Sequence, residues 1–246
     1  MNKGILIIGN PGKGKHYCEG VEKDLLNYRK YFSSITGGAW EDDEIKTLLC
    51  PTVTEMNRAV NVLDEMDYSV IVFSGHGYSN INGETIIELS DDGDEYSENI
   101  LKATNRTVII DCCRKLWLPP TILEKRADFM NLYESARYSS LRELARLKYE
   151  DYIKNSNGMP VVMYSCSLGE CANDNSELGG DYSYQLLKAG KRFAGNAGED
   201  ALDVVEAHYI AKTELEKLNH TQHPRICRAR SGNYYPFAIK LNNVEG

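Results

Sequence analysis

Short apolar runs alternate with amphipathic segments along this chain. Near-continuous apolar runs, each bounded by polar or turn residues, occur at Gly4–Ile8, Tyr68–Phe73, Thr107–Ile110 and Pro160–Tyr164. Runs of this length without polar alternation predict parallel strands that are buried on both faces of a sheet. A last strand is predicted at Tyr235–Leu241.

Segments with helical spacing of apolar residues separate these runs. They are Val21–Phe32, Val53–Met66 with Thr54 as its N-cap, Asp181–Leu187 and Ala201–Leu218. Strands that alternate with helices imply βαβ units, with right-handed crossovers and helices on both faces of the sheet. The sequence therefore predicts an α/β protein, a three-layer α/β/α sandwich with a mostly parallel central sheet.

One segment does not follow this alternation. Leu123–Ile153 is rich in Lys, Arg, Glu and Tyr and lies between two predicted strands. It predicts one or two exposed helices, inserted at about residues 121–156. The 246 residues are enough for one such domain, and we expect residues 1–246 to form a single domain with this insertion.

Charge and cysteine content narrow the possible partners and the compartment. The net charge of −8 argues against nucleic-acid binding, which depends on a basic surface. The first apolar run is too short for a signal peptide or a membrane span, so no membrane association is expected. Seven cysteines without a secretory signal predict reduced thiols in the cytoplasm. No pair of C-x-x-C elements suggests zinc, and no cofactor is expected.

Reactive residues follow two of the predicted strands. One strand runs into Ser74-Gly75-His76-Gly77, and another runs into Asp111-Cys112-Cys113-Arg114. Because sites form at the carboxyl ends of strands in an open α/β sheet, we expect His76 and Cys113 to meet at one edge. Singly, such a His is more often structural and such a Cys is usually an inert small apolar residue.

The two residues together predict a nucleophile with its acid/base partner. A nearby imidazole favours the reactive thiolate form of a cysteine. Gly77 has no side chain, so its N–H can approach a substrate carbonyl closely. With the N–H of Cys113 it could form an oxyanion hole.

The two motifs resemble those of the caspase and metacaspase peptidases (family C14, clan CD), whose strands end in S-G-H-G or S-H-G and later in D-x-C. In that pattern the third residue is the nucleophile, which implies Cys113 and not Cys112. Weaker matches extend over nearly the whole chain, at Ile5–Asn10, Gly20–Asp24, Val161–Gly169, Gln222-His223-Pro224 and Pro236-Phe237. The resemblance implies the caspase–hemoglobinase fold, protein or peptide substrates, and a Cys–His dyad without a third acid.

The same resemblance places three residues in the pocket for the P1 residue, on the amino-terminal side of the cleaved bond: Asp24, Ser74 and Asp111. Two carboxylates around one pocket call for a cation, so cleavage after Arg or Lys is expected. The alternative is that Asp24 is a surface residue of a helix's first turn, which the helix dipole would favour.

Departures from the family pattern leave other properties open. Arg114-Lys115-Leu116 follows the nucleophile where metacaspases have H-S-G, which leaves the leaving-group side of the cleft undefined. The acidic run Asp91–Glu95 is expected to be a solvated turn rather than a calcium site, so no metal is predicted.

The insertion has two interpretations. A protease that prefers Arg or Lys could cut itself there, or the segment could be a charged exposed helix. The basic residues of the insertion are Lys125, Arg126, Arg137, Arg142, Arg146 and Lys148.

Two rival functions remain. Gly9–His16 nearly matches the phosphate loop of NTPases, but His16 replaces the Ser/Thr that binds Mg²⁺, and the next helix is expected to start later, near Gly20. A non-catalytic, caspase-like interaction module is the other rival. The chain resembles compact bacterial caspase-like proteins, which often serve in stress or antiphage cell death. Regulation is then expected to come from an activating partner, a small ligand or the inserted segment.

Overall fold

The computed structural model describes residues 1–90, 92–116, 139–193, 199–218 and 221–241. The strands are Lys3–Asn10 (β1), Ile45–Leu49 (β2), Tyr68–Gly75 (β3), Gly77–Ser79 (β4), Thr85–Glu88 (β5), Glu95–Ser97 (β6), Arg106–Asp111 (β7), Val161–Tyr164 (β8), Asp174–Asn175 (β9), Gly179–Gly180 (β10), Ala201–Asp203 (β11), Arg225–Cys227 (β12) and Pro236–Ile239 (β13). The α-helices are Gly20–Ser33 (α1), Val53–Asp64 (α2), Glu98–Leu101 (α3), Ser139–Lys154 (α4), Asp181–Lys191 (α5) and Val204–Lys217 (α6).

A six-stranded sheet lies at the centre of the fold, in the order β12-β8-β7-β3-β1-β2. All its pairings are parallel except that of β12, which runs antiparallel to β8. Both faces of its inner strands are buried, since Ile5 and Ile7 of β1 belong to one apolar cluster, and Leu6 and Ile8 belong to another. The continuous apolar runs arise from this double burial.

Helices cover both faces of the sheet, which confirms the three-layer prediction. The cluster on one face takes side chains from α1, α4, α5 and α6. The cluster on the other face takes them from α2 and α3, and from a small antiparallel sheet of β4, β5 and β6. No helix in the described parts of the chain is long and apolar enough to cross a membrane.

Several elements differ from those that periodicity predicts. β13 forms within the predicted last strand, but it pairs with β11 outside the central sheet. The predicted helix at Ala201 begins only at Val204, because the three residues before it form β11. Thr52, not the predicted Thr54, is the N-cap of α2, since its hydroxyl accepts a hydrogen bond from the backbone N–H of Glu55.

The helical part of the insertion is partly buried, whereas the sequence predicts an exposed helix. On α4, Ala145, Tyr149 and Ile153 are buried in the core cluster that contains α1. The Tyr149 hydroxyl donates a 2.6 Å hydrogen bond to the Pro236 carbonyl. The polar appearance of this segment reflects one face of a docked helix; residues 117–138 lie outside the described part of the chain.

Candidate active site

The carboxyl ends of β3 and β7 lie side by side at one edge of the central sheet. Ser74 is directly opposite Asp111 in the parallel pairing of these strands. His76 follows Ser74 by two residues, and Cys113 follows Asp111 by two. The sheet therefore brings the two predicted catalytic residues to the same edge, as the sequence predicts.

His76 is held through one ring nitrogen by the loop between β1 and α1. Its Nε2 lies 2.6 Å from the carbonyl oxygen of His16 and 3.3 Å from that of Pro11. A carbonyl only accepts hydrogen bonds, so these contacts assign a proton to Nε2. Nδ1 is then the nitrogen that is left to take up and release a proton.

Gly12 permits this approach of the loop to His76. A Cβ atom on Gly12 would lie 2.4 Å from His76 Nε2, and its φ of 74° also favours glycine. The first turn of α1 begins only at Gly20. The segment that resembles a phosphate loop therefore packs on the imidazole, while the helix N-terminus that would hold a phosphate lies further along the chain.

Cys113 is half-buried, and its contacts are to a different loop. Its Sγ lies 3.9 Å from the carbonyl oxygen of Ala172 and also hydrogen-bonds with the thiol of Cys171. Burial, reinforced by Cys171, raises the pKa of Cys113 to about 12. No hydrogen bond joins it to His76 among the described residues, so the two side chains are not directly paired in this structure.

The backbone N–H groups of Cys113 and Gly77, which the sequence predicts as oxyanion-hole donors, are not used by the described secondary structure around them. The N–H of Arg114 donates to the Glu170 carbonyl, and the Arg114 carbonyl accepts from the N–H of Gly169, which fixes the chain just after Cys113. Within the described chain the N–H of Cys113 has no acceptor. The His76 carbonyl accepts from the N–H of Glu88, so the ladder between β4 and β5 does not use the N–H of Gly77.

Arg114 itself is a structural residue. Its side chain is buried, donates to Thr85 Oγ1 at 2.9 Å, and lies over the ring of Tyr164 at 4.0 Å. It therefore anchors the small antiparallel sheet to the central sheet and is not available to a substrate.

Two buried carboxylates, Asp24 of α1 and Asp111 at the end of β7, lie on either side of Gly180. Asp24 accepts hydrogen bonds from the Ser74 hydroxyl at 2.6 Å and from the N–H of Gly180 at 3.1 Å. Asp111 Oδ2 accepts from both the N–H and the hydroxyl of Ser183. Asp24 is only 1% exposed, so the alternative of a surface residue in the first turn of α1 is wrong.

Gly180 lies between the two carboxylates. A Cβ atom there would be 2.5 Å from Asp111 Oδ2 and 3.2 Å from Asp24 Oδ2. Burial raises the pKa of both carboxyls, and the charge of Asp111 raises that of Asp24 further. A pair held in this way favours sharing a proton, or receiving a cation, over carrying two negative charges.

A third carboxylate belongs to the same cluster and was not identified from the sequence. Asp174 pairs with Gly180 in the two-stranded sheet of β9 and β10, and its Oδ2 accepts from the N–H of Gly20 at 3.1 Å. It is exposed, and its charge raises the pKa of both Asp24 and Asp111. The local signal in the sequence is the pair Gly179-Gly180 just before α5, since glycine lets the backbone approach the carboxylates closely.

In the described ranges no group of three or more His, Cys, Asp or Glu is arranged to hold a metal ion. Of the acidic run considered for calcium, Asp91 lies outside the described residues, Asp92 and Asp94 lie at the turn between β5 and β6, and Glu95 is the first residue of β6.

Comparison with known domain families matches residues 3–235 to the caspase domain of the C14 peptidases. This chain belongs to the caspase-domain family. The family resemblance inferred from the two motifs is thereby confirmed, as is the α/β fold. Members are cysteine peptidases, hydrolases whose substrates are proteins or peptides. No curated protein matches the chain.

Proposed function

We propose that this caspase domain is an active cysteine endopeptidase, with Cys113 as nucleophile and His76 as general base and acid. The observation that carries the proposal is the pairing of β3 and β7, which sets both residues at one sheet edge beside an acidic cluster. The hydrogen bond between His76 Nε2 and the His16 carbonyl supports the proposal, because acid–base catalysis requires an oriented imidazole.

The proposed reaction passes through a thioester. Cys113 Sγ attacks the carbonyl carbon as its proton moves to His76 Nδ1, and the N–H groups of Gly77 and Cys113 stabilise the oxyanion. The C–N bond then breaks, and His76 returns the proton to the departing amine. A water molecule, deprotonated by His76, attacks the thioester, and the product acid leaves with Cys113 regenerated as a thiol.

The contacts of Cys113 with Ala172 and Cys171 suggest how the activity of the peptidase is regulated. Its thiol must leave the Ala172 carbonyl and Cys171 before it can exchange a proton with His76. Substrate, an activating partner or a small ligand that moves the loop with residues 171–173 would therefore start the reaction. The raised pKa of Cys113 keeps the thiol unreactive until then.

Specificity for basic P1 residues is part of the proposal. Asp24 and Asp111 are held in place by Ser74 and Ser183, and a guanidinium or ammonium group would neutralise the pair. Ser74 acts here through Asp24, because its buried hydroxyl donates to that carboxylate. Asp174 supplies a solvated charge to the same cluster.

A panel of fluorogenic peptides that differ only at P1 tests both parts. We expect Arg and Lys substrates to be cleaved faster than Asp substrates, and Cys113→Ala to lower kcat/KM on the order of a thousandfold or more. Cys227→Ala, which removes an exposed thiol on β12, is the matched control. Full activity of Cys113→Ala would contradict the nucleophile, and preference for Asp would contradict the acidic pocket.

A non-catalytic interaction module is the second candidate, and the observation in its favour is that no hydrogen bond joins His76 to Cys113 among the described residues. Cys113→Ala distinguishes the peptidase from the interaction module in cells, because a non-catalytic module keeps its cellular effect without this thiol and a peptidase loses it.

The expected setting is the cytoplasm, where all seven free cysteines stay reduced, and the expected role is in stress or antiphage cell death. Profiling of cleaved peptides against Cys113→Ala would identify substrates.

A further inference from the structure

The loop between β1 and α1 brings a thiol against the imidazole of His76. Cys18 Sγ lies 3.6 Å from His76 Nε2 and 3.7 Å from the His16 carbonyl oxygen. The backbone N–H of Cys18 donates to the Pro11 carbonyl at 2.7 Å, which closes the loop and fixes the position of the thiol.

Three contacts of this loop converge on the same nitrogen. The His16 carbonyl, the Pro11 carbonyl and the Cys18 thiol all lie within 3.6 Å of Nε2. The loop that resembles a phosphate loop thus surrounds one side of an imidazole. A thiol is the one member of this set that can itself gain or lose a proton.

We propose that Cys18 is a positioning residue for His76, whose thiol and the neighbouring His16 carbonyl hold the ring by Nε2 and keep a proton on that nitrogen. Acid–base chemistry is then confined to Nδ1. This inference rests on the proposed peptidase function, because a fixed orientation of His76 matters only if the imidazole acts as general base and acid.

The electrostatic consequence can be measured. The Cys18 hydrogen bond raises the pKa of His76 to about 9, although burial by itself would lower it. The other charged group of the described residues that acts on His76 is Glu88 of β5, which raises the pKa in the same direction. At neutral pH His76 therefore holds both protons, and the base form that accepts the thiol proton increases as the pH rises towards 9.

Titration of the His76 ring by NMR in Cys113→Ala protein tests this without any need for activity. Adding Cys18→Ala should lower the pKa of His76 by about one unit or more, because the hydrogen bond with Cys18 is the largest of the effects that raise it. Adding Cys227→Ala instead should leave it unchanged. His76→Gln identifies the resonance among the five histidines.

The pH dependence of kcat/KM supplies a second readout in the catalytically competent protein. The acidic limb follows the base form of His76, so Cys18→Ala should move it to lower pH by about one unit or more. Cys18→Ser should move it in the same direction but by less, because serine keeps a hydroxyl that can contact Nε2. It also decides the matter if the alanine variant does not fold.

An unchanged His76 pKa in both Cys18 variants would overturn the positioning role. Absence of peptidase activity in the unsubstituted chain would overturn the proposed function instead, and would leave the NMR result standing by itself. The two failures are therefore distinguishable.

Discussion

At the scale of single residues, the site is held by groups that lie far apart in the chain. Asp24 of α1 receives the backbone N–H of Gly180, and Asp111 of β7 receives two hydrogen bonds from Ser183 of α5. Each buried carboxylate thus has hydrogen-bond donors of its own, so the proposed P1 pocket is preorganised. Asp174 differs, because it is exposed and acts mainly by its charge.

Asp174→Asn is predicted to weaken the binding of basic substrates. An exposed charge contributes modestly, so KM for an Arg substrate should rise roughly two- to fivefold with little change in kcat. Steady-state kinetics at low ionic strength measure this. Glu216→Gln, which removes an exposed carboxylate on α6, is the control, and an equal effect of both substitutions would exclude a specific role for Asp174.

At the scale of elements, α4 shows how a polar segment can belong to the core. Three of its basic side chains donate to backbone carbonyls: Arg142 to Ser33, Arg146 to Ala39 and Lys148 to Lys240. Cleavage at these residues would need this helix to undock, since a protease binds extended chain. The other basic residues considered for self-cleavage lie outside the described ranges; they are Lys125, Arg126 and Arg137.

Tyr149→Ala is predicted to destabilise the protein by about 3–5 kcal/mol, because it empties a fully buried aromatic position. Tyr149→Phe should cost about 1–2 kcal/mol, since it keeps the ring and removes the hydroxyl that donates to the Pro236 carbonyl. Urea unfolding measures both. Leu147→Ala, on the exposed face of the same helix, should stay within about 0.5 kcal/mol. Equal effects of Tyr149→Ala and Leu147→Ala would show that α4 is not docked.

At the scale of the whole molecule, a buried charge network joins three parts of the chain. The Lys3 side chain is fully buried on β1 and pairs with Glu44 at 2.7 Å and with Glu150 of α4 at 3.3 Å. Arg146 of α4 also pairs with Glu44, at 2.6 Å. The network therefore ties the inserted helix to the first strand of the sheet.

Glu44 is predicted to make stability depend on pH in the acidic range. Burial by itself would raise its pKa, but hydrogen bonds from Arg146 and Lys3 lower it from 4.5 to about 2. A carboxyl with a depressed folded-state pKa stabilises the fold above its unfolded value, and this contribution disappears as the pH falls through the folded value. The Tm difference between the unsubstituted chain and Glu44→Gln should therefore shrink between pH 4.5 and about 2.

Asp43→Asn is the control for this window, because Asp43 is the exposed neighbour of Glu44 in the same short turn. Its Tm difference from the unsubstituted chain should stay small throughout. A Glu44→Gln difference that does not change across the window would contradict the role of the network.

The sequence by itself determined the α/β layers, the family and the two motifs at the strand ends. Apolar runs such as Gly4–Ile8 carry local information, because a strand buried on both faces leaves no polar alternation. The positions of His76 and Cys113 follow from the same rule, since parallel neighbouring strands end at one edge. The short β2 and β12 could not be predicted in this way, because their exposed residues interrupt the apolar pattern.

Only the tertiary structure decided which side chains surround the strand ends. The contacts of Cys18 with His76 and of Cys171 with Cys113, and the effect of the Asp174 charge on the acid pair, involve segments separated by tens of residues. No periodicity encodes such contacts, because they depend on where loops return to the sheet edge. The same reason explains the docked face of α4, whose buried residues are few among many charged ones.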